Sequence, residues 1–176
     1  MSNHFFKNQG PFKIKEILNF LNIKVEGFDI YKKVEDIKDL YSSNDTDISF
    51  FHSKKYKQFA NNTKASFCIT SEALKKELPD NCIPLVVDNV LLSVSKLTAK
   101  FYPDAIDDNF DDTAILIDET KFKSDVKHGK NVLVGENVSI GSNCIIGHNT
   151  IIEKNVSIGN NCSIGSNTVI RNTIIK

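Results

Sequence analysis

From Asn131 onward the chain repeats every six residues, and this period constrains the fold more than any other feature of the sequence. Read from Val134, the units are VGENVS, IGSNCI, IGHNTI, IEKNVS, IGNNCS, IGSNTV and IRNTII, each opened by an aliphatic residue, with Asn fourth in the first six. A helix repeats at about 3.6 residues and a strand at about two, so neither produces this register. Positions 134, 140, 146, 152, 158, 164 and 170 all face one way, as do Val138, Cys144, Thr150, Val156, Cys162 and Thr168 four places later. The pattern predicts a parallel β-helix of hexapeptide repeats, each hexad one short strand and one corner.

The corner chemistry explains the residue choice. Gly follows the aliphatic residue in most hexads and Asn comes two residues later, and these types best tolerate positive φ and close backbone approach. Three hexads close one triangular coil, so positions eighteen apart stack at the ~4.8 Å spacing of neighbouring strands. Cys144 and Cys162 form such a pair. Their place calls for a small inward residue, which Val, Thr and Cys fill interchangeably, so free thiols are expected rather than a disulfide or half a metal site.

Composition narrows the partners. The 176 residues are 40% hydrophobic and 25% charged with zero formal net charge, the make-up of an ordinary globular chain of one or two domains. Without a basic field, nucleic acid is not an expected partner. No apolar run approaches the roughly 18 residues of a membrane span, and MSNHFFKNQG lacks the apolar core of a signal peptide. Four Cys without CxxC spacing fit reduced thiols and a cytoplasmic location. Neither a metal nor a cofactor is expected.

The composition shifts near Pro103. Residues 104–112, DAIDDNFDD, hold five Asp and read as a solvated linker between an α/β domain, 1–103, and the β-helix, 113–176. In the first domain Ile14, Ile17, Leu18 and Leu21 share one face of a helix starting just after Pro11. ISFF (48–51), SFCIT (66–70) and PLVV (84–87) read as strands. Helical patterns follow at SEALKKEL and VLLSVSKLTAKFY, the latter with Leu91, Val94, Leu97 and Phe101 as its apolar stripe and Pro103 at its end.

This order resembles the UDP-3-O-acylglucosamine N-acyltransferase family of lipid A biosynthesis, and the most specific match is ISFFHSKKY, residues 48–56. In that family the segment has the form SFxxNPKY, where Phe and Tyr hold the uracil ring of a UDP-sugar and Asn hydrogen-bonds its edge. The matching positions are Phe50, Ser53 and Tyr56; Ser53 departs from the Asn and Lys54 from the Pro. An aromatic pair around a flat base supplies roughly 1–3 kcal/mol of stacking per base. A Ser hydroxyl cannot present the paired donor and acceptor of an amide, so uracil-edge recognition is expected to be weaker or rearranged. Lys54, Lys55 and Lys57 are candidates for the pyrophosphate, set against the plainer reading of a solvated lysine run.

The resemblance further implies a left-handed β-helix, of which about three to four coils are expected here, and a homotrimer with active sites between neighbouring helices. It implies transfer of a 3-hydroxyacyl chain from acyl carrier protein to the 2-amine of UDP-3-O-acylglucosamine. The family's catalytic base is a His in an AHN segment several coils further along the repeat. His148 in IIGHNTII falls upstream of that place at an outward turn position, so no residue is assigned as the base. His4, His52 and His128 read as surface residues, with His52, inside the aromatic segment, set against a second reading in which it faces the nucleotide. Because NTIIK offers no cap for an open rung, the chain is expected to be the front part of a longer protein and to be inactive alone. Two other classes fit the same repeat: a different sugar-nucleotide acetyltransferase using acetyl-CoA, and a noncatalytic UDP-sugar-binding or assembly module.

Overall fold

Apolar residues alternate between the two faces of a four-stranded parallel sheet in the first part of the chain. The computed structural model describes residues 4–25, 27–106 and 109–176. The acidic stretch 104–112 therefore has residues 107 and 108 outside the described residues. Two compact units divide the chain, Phe6–Asp107 and Asp108–Lys176.

In the first unit β1 (Phe12–Lys13) pairs antiparallel with β2 (Lys33–Val34). The parallel sheet follows in chain order: β3 (Asp36–Ile37), β4 (Asp47–Phe51), β5 (Phe67–Thr70) and β6 (Ile83–Val86). Ile48 lies beside Phe67 and Phe50 beside Ile69, so these side chains share a face. That face packs on Ile14, Ile17 and Leu18 of helix α1 (Ile14–Leu21) and on Val90, Leu97 and Phe101 of helix α3 (Val90–Phe101). The opposite face buries Phe51 and Cys68 with Ala60, Leu74 and Cys82. Ala60 belongs to the short helix α2 (Lys57–Ala60).

Local chemistry sets the helix ends. Asn22, with φ 55°, stops α1 in the left-handed conformation that Asn tolerates, and the Asn89 side chain accepts from the Leu92 N–H to start α3. The buried stripe of α3 begins at Val90, one residue before the position the sequence pattern suggested, because Leu91 is 55% exposed. A helix over 71–78 does not form: only a 3-10 turn, Lys75–Glu77, is present. Leu78 precedes Pro79 and is extended at φ −84°, ψ 148°, the restriction a following proline imposes.

The second unit stacks two-residue strands. β7 (Ile115–Leu116) runs antiparallel to β9 (Leu133–Val134) and precedes the regular coils. These comprise β8 (Lys127–His128), β9, β10 (Ser139–Ile140), β11 (Ile145–Ile146), β12 (Ile151–Ile152), β13 (Ser157–Ile158), β14 (Ser163–Ile164), β15 (Val169–Ile170) and β16 (Ile174–Ile175). All pairings among β8–β16 are parallel, in three sheets ordered β14-β11-β8, β15-β12-β9 and β10-β13-β16, so this unit is a parallel β-helix. Val134, Ile146, Ile152, Ile158 and Ile170 point inward with Val138, Cys144, Thr150 and Val156.

Asn and Gly divide the corner work. The left-handed conformation falls on Asn131, Asn137, Asn143, Asn149, Asn155, Asn161, Asn167 and Asn172, with φ between 48° and 62°. None of the hexad glycines takes it, which corrects the expectation that both types supply positive φ. Gly135, Gly141 and Gly147 are instead places where a Cβ would meet the backbone of the next coil. The Asn side chains form ladders, Asn131 Nδ2 donating to Asn149 at 3.0 Å and Asn149 Nδ2 to Asn167 at 3.2 Å. Cys144 and Cys162 are free thiols.

Two residues read as solvated are built into this unit. His128 takes the inward place beside Ile146, its side chain 14% exposed and its Nε2 3.9 Å from Asp118. Asp111, within the acidic stretch, accepts from the Thr113 N–H and hydroxyl and from the Lys154 N–H. Both sit where the irregular first segment meets the regular coils, a place with no hexad pattern to signal it.

Candidate functional site

Strand alternation places the site. Because Ile48 and Phe50 share one face of β4, His52 falls next on that face, one residue past the end of the strand. There the chain turns. Ser53 Oγ accepts from the Lys55 N–H at 3.4 Å and caps a 3-10 turn, Lys54–Tyr56, that runs into α2. The turn brings Tyr56 and Phe59 back beside Phe50, and the loop after β3 adds Asp39 and Tyr41. Together they line a cavity of about 340 Å³, at the carboxyl ends of β3 and β4, the edge where open parallel sheets hold ligands.

The walls are aromatic. Phe50 and His52 stack with ring centroids 6.3 Å apart and 24° between planes, and His52 meets Tyr56 at 5.3 Å and 47°. Tyr41 and Phe59 meet edge to face at 6.3 Å. Such rings offer flat, polarisable surface to a planar ligand. Tyr56 is 37% and Phe59 47% exposed, so both remain open to one.

Asp39 is the carboxylate of the cavity. It accepts from the Ser42 hydroxyl at 2.5 Å and from the Tyr41 and Ser42 N–H groups at 2.8 and 2.9 Å. The Ser42 hydroxyl hydrogen bond, opposed by partial burial and helped by the backbone donors, holds this carboxyl below the usual carboxylate range. It is therefore ionised at neutral pH and its oxygens are engaged by its own loop.

Of the residues predicted from sequence, Phe50 and Tyr56 line the cavity, whereas Ser53 caps the turn between them and is not part of the wall. His52, read as a surface residue with a nucleotide-facing alternative, contacts both rings, and the period-two alternation of β4 is the signal for it. Asp39, Tyr41 and Phe59 carried no sequence signal. Among the lysines, Lys57 pairs with Glu77 at 2.8 Å, while Lys55 Nζ lies 5.9 Å from the Tyr56 ring centroid. His148 Nδ1 accepts from the Lys130 N–H at 2.8 Å in a corner of the β-helix. Among the described residues no group of three His, Cys, Asp or Glu is placed to hold a metal ion, and no helix is long and apolar enough to cross a membrane.

The β-helix defines the class: residues 119–154 and 137–172 match the family model of the bacterial transferase hexapeptide (six repeats). Residues 32–100, which include the cavity, match the family model of UDP-3-O-(3-hydroxymyristoyl) glucosamine N-acyltransferase, LpxD. The chain is thus similar to the LpxD family over residues 32–100 and to the bacterial hexapeptide transferases over residues 119–172. It is similar to the UDP-3-O-acylglucosamine N-acyltransferase of Rickettsia prowazekii, at 36% identity over 104 residues, 58% of this chain and 30% of that protein. The proteins of the same name from Rickettsia typhi, 35% identical over 104 residues, and Rickettsia canadensis, 36% over 103, are covered to the same 30%. The chain thus spans about a third or less of the curated relatives it matches.

Proposed function

We propose that this chain is the UDP-sugar-binding part of an N-acyltransferase that moves a 3-hydroxyacyl chain from acyl carrier protein to the 2-amine of UDP-3-O-acylglucosamine in lipid A biosynthesis. The observation that carries this reading is the cavity lined by Phe50 and Tyr56, inside the segment 32–100 that matches LpxD. Phe50 and Tyr56 flank the uracil, and Ser53 fixes the turn that holds them at that separation. The domain of residues 1–103 is then the uridine-nucleotide module and 104–112 its connection to the repeats.

The repeats form a left-handed β-helix in this reading, and the protein is a cytoplasmic homotrimer. The outward residues of β9, β12 and β15 support the association: Leu133, Ile151 and Val169 line up as an aliphatic row on one face, with Val169 60% exposed. The thioester of acyl carrier protein serves as donor substrate, with no further cofactor.

Calorimetric titration with UDP-N-acetylglucosamine tests the reading. Phe50→Ala and Tyr56→Ala each remove one stacking surface of about 1–3 kcal/mol, so each is expected to weaken binding by about fivefold or more. Unchanged affinity in both variants would refute it.

A further inference from the structure

His52 is a polar side chain of the cavity wall. It contacts both aromatic rings, at 24° to Phe50 and 47° to Tyr56, and is an exposed residue of that wall. Neither of its ring nitrogens has a hydrogen-bond partner among the described residues. Two other polar groups nearby are engaged within their own loops, Asp39 by Tyr41 and Ser42 and Ser53 at the Lys54–Tyr56 turn, which leaves His52 and the Tyr41 and Tyr56 hydroxyls as the polar groups of the wall. His52 therefore has hydrogen-bonding capacity to offer a ligand in this cavity.

We propose that His52 carries the polar recognition of the base in this cavity, and that it reads uracil and cytosine nearly alike. The inference rests on the nucleotide reading of the preceding subsection. A neutral imidazole has one donor and one acceptor nitrogen that diverge from the ring, so one of them at a time faces a base. Which nitrogen carries the proton is set by the partner of the other one. Here neither has a partner to fix the tautomer, so the same ring edge can donate to a carbonyl of uracil or accept from the amino group of cytosine. A site whose amide is locked by its neighbours has no such freedom. The class of ligand is thus a pyrimidine nucleoside diphosphate, with stacking from Phe50 and Tyr56 and one adaptable hydrogen bond from His52.

Titration of the full 176-residue chain with UDP and with CDP tests this. The wild-type chain is expected to bind the two within about threefold of each other. His52→Phe keeps a ring in place and removes both nitrogens, and it should weaken UDP and CDP alike by about fivefold, the weight of one hydrogen bond. His52→Gln restores a donor and an acceptor and should recover most of that loss, which a purely structural role would not produce. Preference for UDP over CDP above tenfold, or a His52→Phe chain with wild-type affinity for both, overturns the proposal while Phe50→Ala and Tyr56→Ala still weaken binding. If neither aromatic variant weakens binding, the nucleotide reading fails and takes this inference with it.

Discussion

The Asp111 carboxylate accepts a 2.6 Å hydrogen bond from the Lys154 backbone N–H, forty-three positions further along the chain. It joins the irregular start of the second unit to a corner of the β-helix. Burial alone would push this carboxyl up, but the hydrogen bonds from Thr113 and Lys154 outweigh it and hold it below its ordinary 3.8. A group with a lowered folded-state value contributes stability that is fully present above its unfolded value and fades as pH falls through the folded one. Asp111→Asn should therefore lower the melting temperature at neutral pH and lose less than wild type on acidification from about pH 5 to pH 2. Thermal unfolding followed by circular dichroism at several pH values reads this, and parallel curves for the two chains would contradict it.

Space at the hexad corners selects Gly. A Cβ on Gly147 would stand against the Ser166 and Gly165 backbone, and one on Gly141 against the Gly159 and Asn160 backbone. Gly141→Ala and Gly147→Ala are each expected to cost about 1–3 kcal/mol through overpacking. Urea denaturation of both variants measures this, and midpoints equal to wild type would show that space at the corner is not what selects Gly.

The repeat was legible because its information is local: each hexad states its own inward residues and corner, and the copies agree. Even its irregular end is written there, since IRNTII reaches Asn at its third place and Ser157 accordingly pairs with Ile174, one residue short of the usual step. The cavity was half legible. Phe50 and Tyr56 sit in one contiguous segment, and His52 follows from strand alternation. Asp39 and Tyr41 arrive only because β3 pairs in parallel with β4, and a two-residue strand has no alternation from which to read that pairing. The helix expected over 71–78 had suitable leucine spacing, but Pro79 forces Leu78 into an extended backbone that no apolar period reports.

Asn149 combines two roles that substitution can separate. Its φ of 54° favours Asn or Gly, and its side chain accepts from Asn131 and donates to Asn167. Asn149→Gly removes only the ladder and is expected to cost about 1 kcal/mol. Asn149→Val adds a β-branched residue in the left-handed region, a further cost of about 1–3 kcal/mol. The order wild type, Gly, Val in urea midpoint is the expected result; Val matching Gly would mean that the corner relaxes out of the left-handed conformation.

The lysines beside the cavity should differ in their effect on nucleotide binding. Lys57 is held in an ion pair with Glu77 at 2.8 Å, directed away from the role of phosphate ligand, whereas Lys55 Nζ stands 5.9 Å from the centroid of the Tyr56 ring. A diphosphate attached to a base stacked on Tyr56 would pass near Lys55, and an exposed cation of this kind acts through a screened attraction. Lys55→Ala is therefore expected to weaken UDP binding several-fold at low ionic strength and less at about 0.5 M salt, where screening has removed most of the wild-type advantage. Lys57→Ala should leave UDP affinity unchanged and instead cost up to about 1 kcal/mol of stability, the worth of an exposed pair. Calorimetry at two salt concentrations separates the two; a loss of affinity in Lys57→Ala equal to that in Lys55→Ala would show that the Glu77 pair opens to release a second phosphate ligand.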